Sequence, residues 1–234
     1  MENQFDWKAP TAFLCYLTLA AGLFIGSIIV AIILFGLQLD FQELTFPVAF
    51  LSLPITEGII LGITLLFAKH KGATLRKLGL KKPSLRIIVI VSFAAVLLLF
   101  LAGTISGFQE FVLGPDPDAE LLVDVIMPRD AFQLIALIGI SLALVGPAEE
   151  LAFRGFVQRG FESSFGKTTG LLIASILFGL LHGLNSLRSI LPVTVVSLFL
   201  GYVWQKTDGN TTVSAWMHGV YNAITIALAF FVYI

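Results

Sequence analysis

Residues 145–154 read Val-Gly-Pro-Ala-Glu-Glu-Leu-Ala-Phe-Arg, two adjacent carboxylates and an arginine inside a very apolar chain. An ionised side chain near the centre of a bilayer costs about 2.5–3.5 kcal/mol on insertion scales, so such groups face a protein interior and mark function. Glu150 and Arg154 stand four residues apart on one helical face, where they can form an ion pair that ties their helix to its neighbours. Glu149 is turned by about 100° from Glu150 and cannot share that arginine equally. A carboxylate left without a local partner can take a proton from water as a general base.

Two further pairs at helical spacing follow, Phe178-x-x-x-His182 and His218-x-x-x-Asn222. Phe178 can pack against the imidazole of His182 and hold its rotamer. Taken alone, His182 reads as a buried neutral histidine bonded to a backbone carbonyl, and His218 with Asn222 as interhelical hydrogen bonding. An imidazole and an amide on one face can also donate hydrogen bonds to a developing oxyanion. The chain has three histidines, and the two inside apolar segments both follow the glutamate pair on separate helices. That joint pattern favours chemistry over packing. Glu57, just after Pro54, is expected to bond to a neighbouring helix or line a cavity, and Asn185 to cap a helix or line the site. His70 reads as solvated and Cys15 as packing. Trp204 and Trp216 fit an interfacial aromatic belt.

These residues need a scaffold, and the composition says which kind. The chain is 57% hydrophobic and 12% charged, against about 25% charged in soluble domains. Mean hydropathy is +0.96. Segments of about 20 apolar residues can span a bilayer as helices. Ala12–Leu37, Phe46–Ala68, Ile87–Gly107, Ala131–Val145, Thr168–Gly183, Ile190–Gln205 and Val213–Tyr233 are such segments, some of them short. Pro147 either kinks the fourth or starts a new helix, Ala148–Phe161. The expectation is an all-α, polytopic transmembrane bundle of seven to eight helices with a catalytic cavity inside the membrane. Residues 1–108 hold N-terminal transmembrane helices that are nearly charge-free, residues 109–234 form the catalytic core that carries the polar groups, and the two form one integrated membrane domain. The first apolar run is too long for a removed signal and reads as a retained helix.

Charge orients the bundle. Seven of the fourteen Lys and Arg residues fall between Lys69 and Arg86, whereas Glu110 to Asp130 holds six acidic residues and only Arg129. The positive-inside rule puts the basic loop and the N-terminus in the cytoplasm and the loops 38–45 and 109–130 outside. Arg154, Arg159 and Lys167 return toward the cytoplasm. No basic block of the nucleic-acid-binding kind is present. Gly22/Gly26, Gly58/Gly62, Gly103/Gly107 and Gly179/Gly183 are small-xxx-small pairs that let helices approach closely. One cysteine allows no disulfide within the chain.

The sequence holds no His-Glu-x-x-His, no Gly-x-Ser-x-Gly, no Gly-x-Gly-Asp, no phosphate-binding loop and no dinucleotide fingerprint. The order Glu-Glu-x-x-x-Arg (Glu149–Arg154), Phe-x-x-x-His and His-x-x-x-Asn resembles the CAAX protease and bacteriocin-processing family, also called Abi, which includes the type II CAAX prenyl endopeptidase. The resemblance covers roughly residues 130–230, and every motif position is kept. It implies an intramembrane endopeptidase acting on a membrane-bound protein or peptide, prenylated or a bacteriocin-like precursor. Glu149 and His182 would hold and activate the attacking water, and His218 and Asn222 would stabilise the oxyanion. Glu150, Arg154 and Phe178 would support them. Zn²⁺ held by Glu149, His182 and His218 is one option; glutamate acting on water without metal is the favoured one. A cell-membrane location follows. Alternatives of other classes are a non-catalytic partner or immunity protein on the same scaffold, which a lost motif residue would favour, and a proton-coupled transporter, which carboxylates spread along a pore would favour.

Overall fold

A computed structural model of the chain describes residues 7–36, 45–118 and 127–233. Its described residues are helical with no strand, and they form α1 (Ala9–Gly36), α2 (Thr45–His70), α3 (Leu85–Leu113), α4 (Ala131–Phe165), α5 (Lys167–His182), α6 (Ile190–Lys206) and α7 (Thr211–Tyr233). Six of these carry stretches long and apolar enough to cross a membrane. The exception is α5, whose 16 residues extend about 24 Å against a hydrocarbon core of about 30 Å. The acidic flank of the N-terminus, most of loop 38–45, and Glu120 and Asp124 lie outside the described residues.

Pro147 does not break the fourth segment, so the count is seven rather than eight. Helix α4 runs unbroken through it because the turns before it are wide. Residues Ser141–Val145 are π-helical, and the Gly146 amide bonds back to the Ser141 carbonyl. A second π-helical stretch, Leu151–Gln158, follows. The glutamate pair therefore sits on a short α-helical piece, Gly146–Glu150, held between two widened stretches. Such π-segments recur at functional sites, where they shift side chains off the regular 3.6-residue rows.

Helices α1 and α2 pack on each other and on α4, while α3 packs on α6 and α7. One apolar core joins α1, α2, α4 and α5 around Leu19, Phe156 and Phe178, and another joins α3, α6 and α7 around Leu98, Leu200 and Met217. The central helix crossing is set by glycines. A Cβ on Gly146 would lie 2.6 Å from the Ala215 carbonyl oxygen, and one on Gly219 would lie 3.0 Å from that of Ser141. Only hydrogen at both positions lets the α4 and α7 backbones touch, which brings the glutamate pair beside His218.

The four small-residue pairs divide. Gly22 and Gly26 meet Ile59 and Ile63 of α2, and Gly179 and Gly183 meet Thr194 and Ile190 of α6. Gly58, Gly62, Gly103 and Gly107 face open space, so their spacing carries no helix contact here.

The two ends of the bundle are chemically distinct. At one end Trp7 donates to the Phe156 carbonyl at 2.9 Å, Thr211 Oγ1 donates to the Leu78 carbonyl at 2.6 Å, and Lys81 reaches the Asp208 carbonyl at 2.6 Å. Lys8, the basic residues of 69–86, Arg159, Lys167 and Lys206 all gather there. At the other end Arg188 donates to the carbonyls of Gly114 and Pro115, and Ser186 to Asp116. The loops thus sort into the same two groups as the charges. Trp204 departs from the aromatic-belt expectation. It is buried, with the Arg159 guanidinium 4.6 Å above its ring and its Nε1 donating to Thr211 Oγ1 at 3.1 Å. Its polar neighbours are protein groups rather than headgroups. Trp216 is exposed and donates to Ser92 Oγ at 3.0 Å. His70 is exposed and Cys15 is in the core, as expected.

Candidate active site

Glu150 is the hub of the buried polar groups. Its side chain is fully buried, and its Oε2 lies 3.1 Å from Arg154 Nε, one turn along α4. Burial of two charges is tolerable only when each is paired and hydrogen-bonded. Arg154 meets that condition in part: NH2 donates to the Ser197 carbonyl at 3.1 Å and to Ser197 Oγ at 3.2 Å, while Nε and NH1 make no hydrogen bond. Its guanidinium also lies 5.3 Å from the Phe178 ring centre. The other Glu150 oxygen, Oε1, faces His218 Nδ1 at 3.2 Å. A carboxylate accepts, so Nδ1 carries the hydrogen and Nε2 points away.

That second nitrogen points at Glu149. His218 Nε2 lies 3.8 Å from Glu149 Oε2, beyond hydrogen-bond reach but close enough for a shared water or substrate atom. Glu149 Oε2 has no hydrogen-bond partner in the interior. The adjacent glutamates therefore differ in kind. Glu150 has a nitrogen partner within 3.2 Å on each oxygen, Arg154 Nε and His218 Nδ1, while Glu149 is the less buried of the two and its Oε2 has His218 Nε2 no nearer than 3.8 Å.

Phe178 joins the remaining histidine to this row. Its ring centre lies 4.6 Å from that of His182 and 6.0 Å from that of His218, and Phe153 packs edge-on at 4.7 Å. His182 Nδ1 lies 3.0 Å from the Phe178 carbonyl, which accepts from it. This contact leaves His182 Nε2 as the lone-pair nitrogen. His182 also lines a cavity of about 520 Å³ between α3, α6 and α7. Asn222 follows His218 by one turn on the same face of α7 and is half-buried. The structure brings Glu149, Glu150, Arg154 and His218 into one row and links His182 to it through Phe178. Asn222 is placed by its helix rather than by a contact.

Some residues of this interior were not singled out by the motifs. Ser197 holds Arg154, and Ser214, also buried, faces the Glu150 carboxylate. Glu57 comes from α2, is 3% exposed, and lies near enough to Glu149 for the two carboxylates to interact. Its signal in the sequence was its position as a lone carboxylate in an apolar helix. Asn185 lines the cavity; the capping role beside it belongs to Ser186.

The donor set does not fit a resident metal. Among the described residues no three His, Cys, Asp or Glu side chains converge as ligands. His218 directs both nitrogens at carboxylates, and His182 packs against the Phe178 ring. The arrangement can instead hold a water against an open carboxylate oxygen, beside an imidazole that a buried ion pair fixes in place.

Compared with known proteins, residues 131–224 match the family described as type II CAAX prenyl endopeptidase Rce1-like. The match begins with α4 and ends two residues after Asn222, so it contains every motif residue named above. No curated protein matches the chain, and no solved structure matches it.

Proposed function

Residues 131–224 of this integral, multi-pass membrane protein are similar to the family described as type II CAAX prenyl endopeptidase Rce1-like, and from that similarity we propose that the chain is an active intramembrane endopeptidase that cleaves a membrane-associated polypeptide. The observation that carries this reading is the open oxygen of Glu149, 3.8 Å from a histidine that is itself fixed by a fully buried Glu150–Arg154 pair.

Water bound between Glu149 and His182 gives a proton to the Glu149 carboxylate as its oxygen attacks the scissile carbonyl carbon. The carbonyl oxygen becomes an oxyanion beside His218 and Asn222; Asn222 donates from its side-chain amide, and His218 donates from Nε2 as an imidazolium whose Nδ1–H stays on Glu150. Collapse of the tetrahedral intermediate breaks the C–N bond, and the proton on Glu149 passes to the leaving amine. Glu150 and Arg154 touch no reacting atom. They position His218 and favour its imidazolium form, and Phe178 sets the planes of both imidazoles. No step requires a metal. The described helices act as one integrated membrane domain, with residues 109–234 as the catalytic core.

The test compares membrane-protein termini by mass spectrometry in gene-deleted cells carrying either the wild-type protein or Glu149→Gln. New termini present only with the wild type are the expected result and would name the substrate. Identical termini, with both proteins stably expressed, would overturn the proposal and leave a partner protein without turnover.

A further inference from the structure

We propose that Glu57 is a positioning residue for the reaction above: its carboxyl group donates a hydrogen bond to the Glu149 carboxylate, and this bond keeps that base charged and aimed. The proposal rests on the endopeptidase reading for the word base, but the bond itself can be tested apart from turnover. Glu57 lies on α2, outside residues 131–224, and no motif named above includes it.

Helix α2 turns one narrow face inward. Among its described residues Glu57, Ile60, Thr64 and Ala68 are buried. Steps of three, four and four keep them within about 80° of one another around the helix axis. Ile60 and Ala68 join the core formed with Ala148, Leu151 and Ala152, so this face looks at α4. Helix α2 also packs directly on the Gly146–Glu150 piece that carries the glutamate pair. Thr64 satisfies its hydroxyl at the Ile60 carbonyl, 2.8 Å away. Glu57 has no such outlet, since it is 3% exposed and its Oε2 makes no hydrogen bond.

Glu149 Oε2 is left in the same condition, and the two carboxyl groups are close enough to act on each other. Helix α1, the other long neighbour of α2, brings no charged side chain. Arg154 on α4 faces Glu150 and Ser197. Two ionised carboxylates side by side in an apolar interior repel strongly, and one proton between them removes the conflict. The O–H of Glu57 then points to one oxygen of Glu149 and leaves the other as the base. Glu57 keeps its own proton throughout. The proton that water gives to Glu149 is the one that leaves with the amine, so the reaction balances without drawing on the pair.

The test uses the full-length protein. Glu57→Leu removes the donor, and Glu57→Gln keeps the shape and a neutral N–H donor. On a substrate identified from new termini, Glu57→Leu should lower kcat by about 10- to 100-fold, the weight of one hydrogen bond to a charged group. KM should change little, and Glu57→Gln should keep most of the wild-type rate. Melting in detergent gives a reading free of turnover. The losses in Glu57→Leu and Glu149→Leu should not add in the double variant, because either change removes the same bond. Wild-type kcat in Glu57→Leu, or a folded Glu57→Gln enzyme with its rate lost, overturns the proposal and leaves the protease reading standing. Additive melting losses overturn the bond itself. Absence of new termini with the wild type would sink the protease reading and with it the catalytic part of this role, while non-additive melting would still uphold the Glu57–Glu149 bond.

Discussion

His218 Nδ1 lies 3.2 Å from Oε1 of Glu150, a contact between two buried residues on different helices, 68 apart in sequence. It converts a local α4 ion pair into a device that orients a residue on α7. Through it, the Glu150–Arg154 pair decides where His218 Nε2 points, and that nitrogen faces Glu149.

Removing Glu150 should therefore damage the fold before the chemistry. Glu150→Gln leaves the buried Arg154 charge without its ion-pair partner, held by Ser197 and the Phe178 ring. Breaking one side of a buried pair costs about 3–5 kcal/mol. The expected outcome is a large drop in thermal stability in detergent. Glu150→Gln combined with Arg154→Gln should recover part of the loss. A double variant whose losses simply add would show that the two side chains are not energetically coupled.

Glu149→Gln should behave in the opposite way. Glu149 Oε2 makes no hydrogen bond, so thermal stability should stay near wild type while cleavage falls by at least about 10²-fold, as expected when a general base is lost. Asn222→Ala should lower the cleavage rate by about 10²–10³, the effect of one oxyanion donor. Both are read on a substrate identified from new termini. Wild-type rates in Glu149→Gln would exclude it as the base, and less than tenfold loss in Asn222→Ala would remove that residue from the oxyanion site.

The glycines give a matched pair of outcomes for one chemical change. In Gly146→Ala the new methyl group lands 2.6 Å from the Ala215 carbonyl, so α4 and α7 must separate. Overpacking of this kind costs about 1–3 kcal/mol, and separation would also pull His218 from Glu149. Gly58→Ala adds a methyl group with nothing within 4 Å. It should be neutral or gain up to about 1 kcal/mol from helix propensity. Melting in detergent separates the two, and equal effects would mean the helix crossing is looser than the structure has it.

Much of this architecture is readable in the sequence because bilayer spans need long apolar runs. The ends found for α1, α2, α5, α6 and α7 fall within a few residues of those expected. Helix α3 runs on past Gly107 to Leu113 because Phe108–Leu113 can continue a helix until Gly114, at φ +78, turns the chain. The glutamate motif is legible from its spacing, but the π-helical stretches on either side are not, since pattern reading assumes 3.6 residues per turn. Nor could spacing show that His218 faces the glutamates, that Arg154 ends on Ser197, or that Glu57 approaches Glu149. Those are contacts across helices. His182 alone reads as a packed histidine, and the Phe178 carbonyl does hold one of its nitrogens. Its other nitrogen, and the cavity beside it, appear only in three dimensions.

Phe178 offers the sharpest separation of packing from catalysis. It is 2% exposed and touches Phe153, His182, His218 and the Arg154 guanidinium. Phe178→Ala should cost about 3–5 kcal/mol as a cavity opens, and a dead enzyme would then be uninformative. Phe178→Leu keeps most of the volume and should cost less than about 1.5 kcal/mol if the site repacks. A leucine has no flat face to set the imidazole planes, so the cleavage rate should fall well beyond what the stability loss explains, with substrate affinity little changed. Measuring kcat, KM and melting temperature on this one variant decides the matter. A stable Phe178→Leu protein with wild-type kcat would show that the histidines keep their alignment without the ring, and that the role of Phe178 ends at packing.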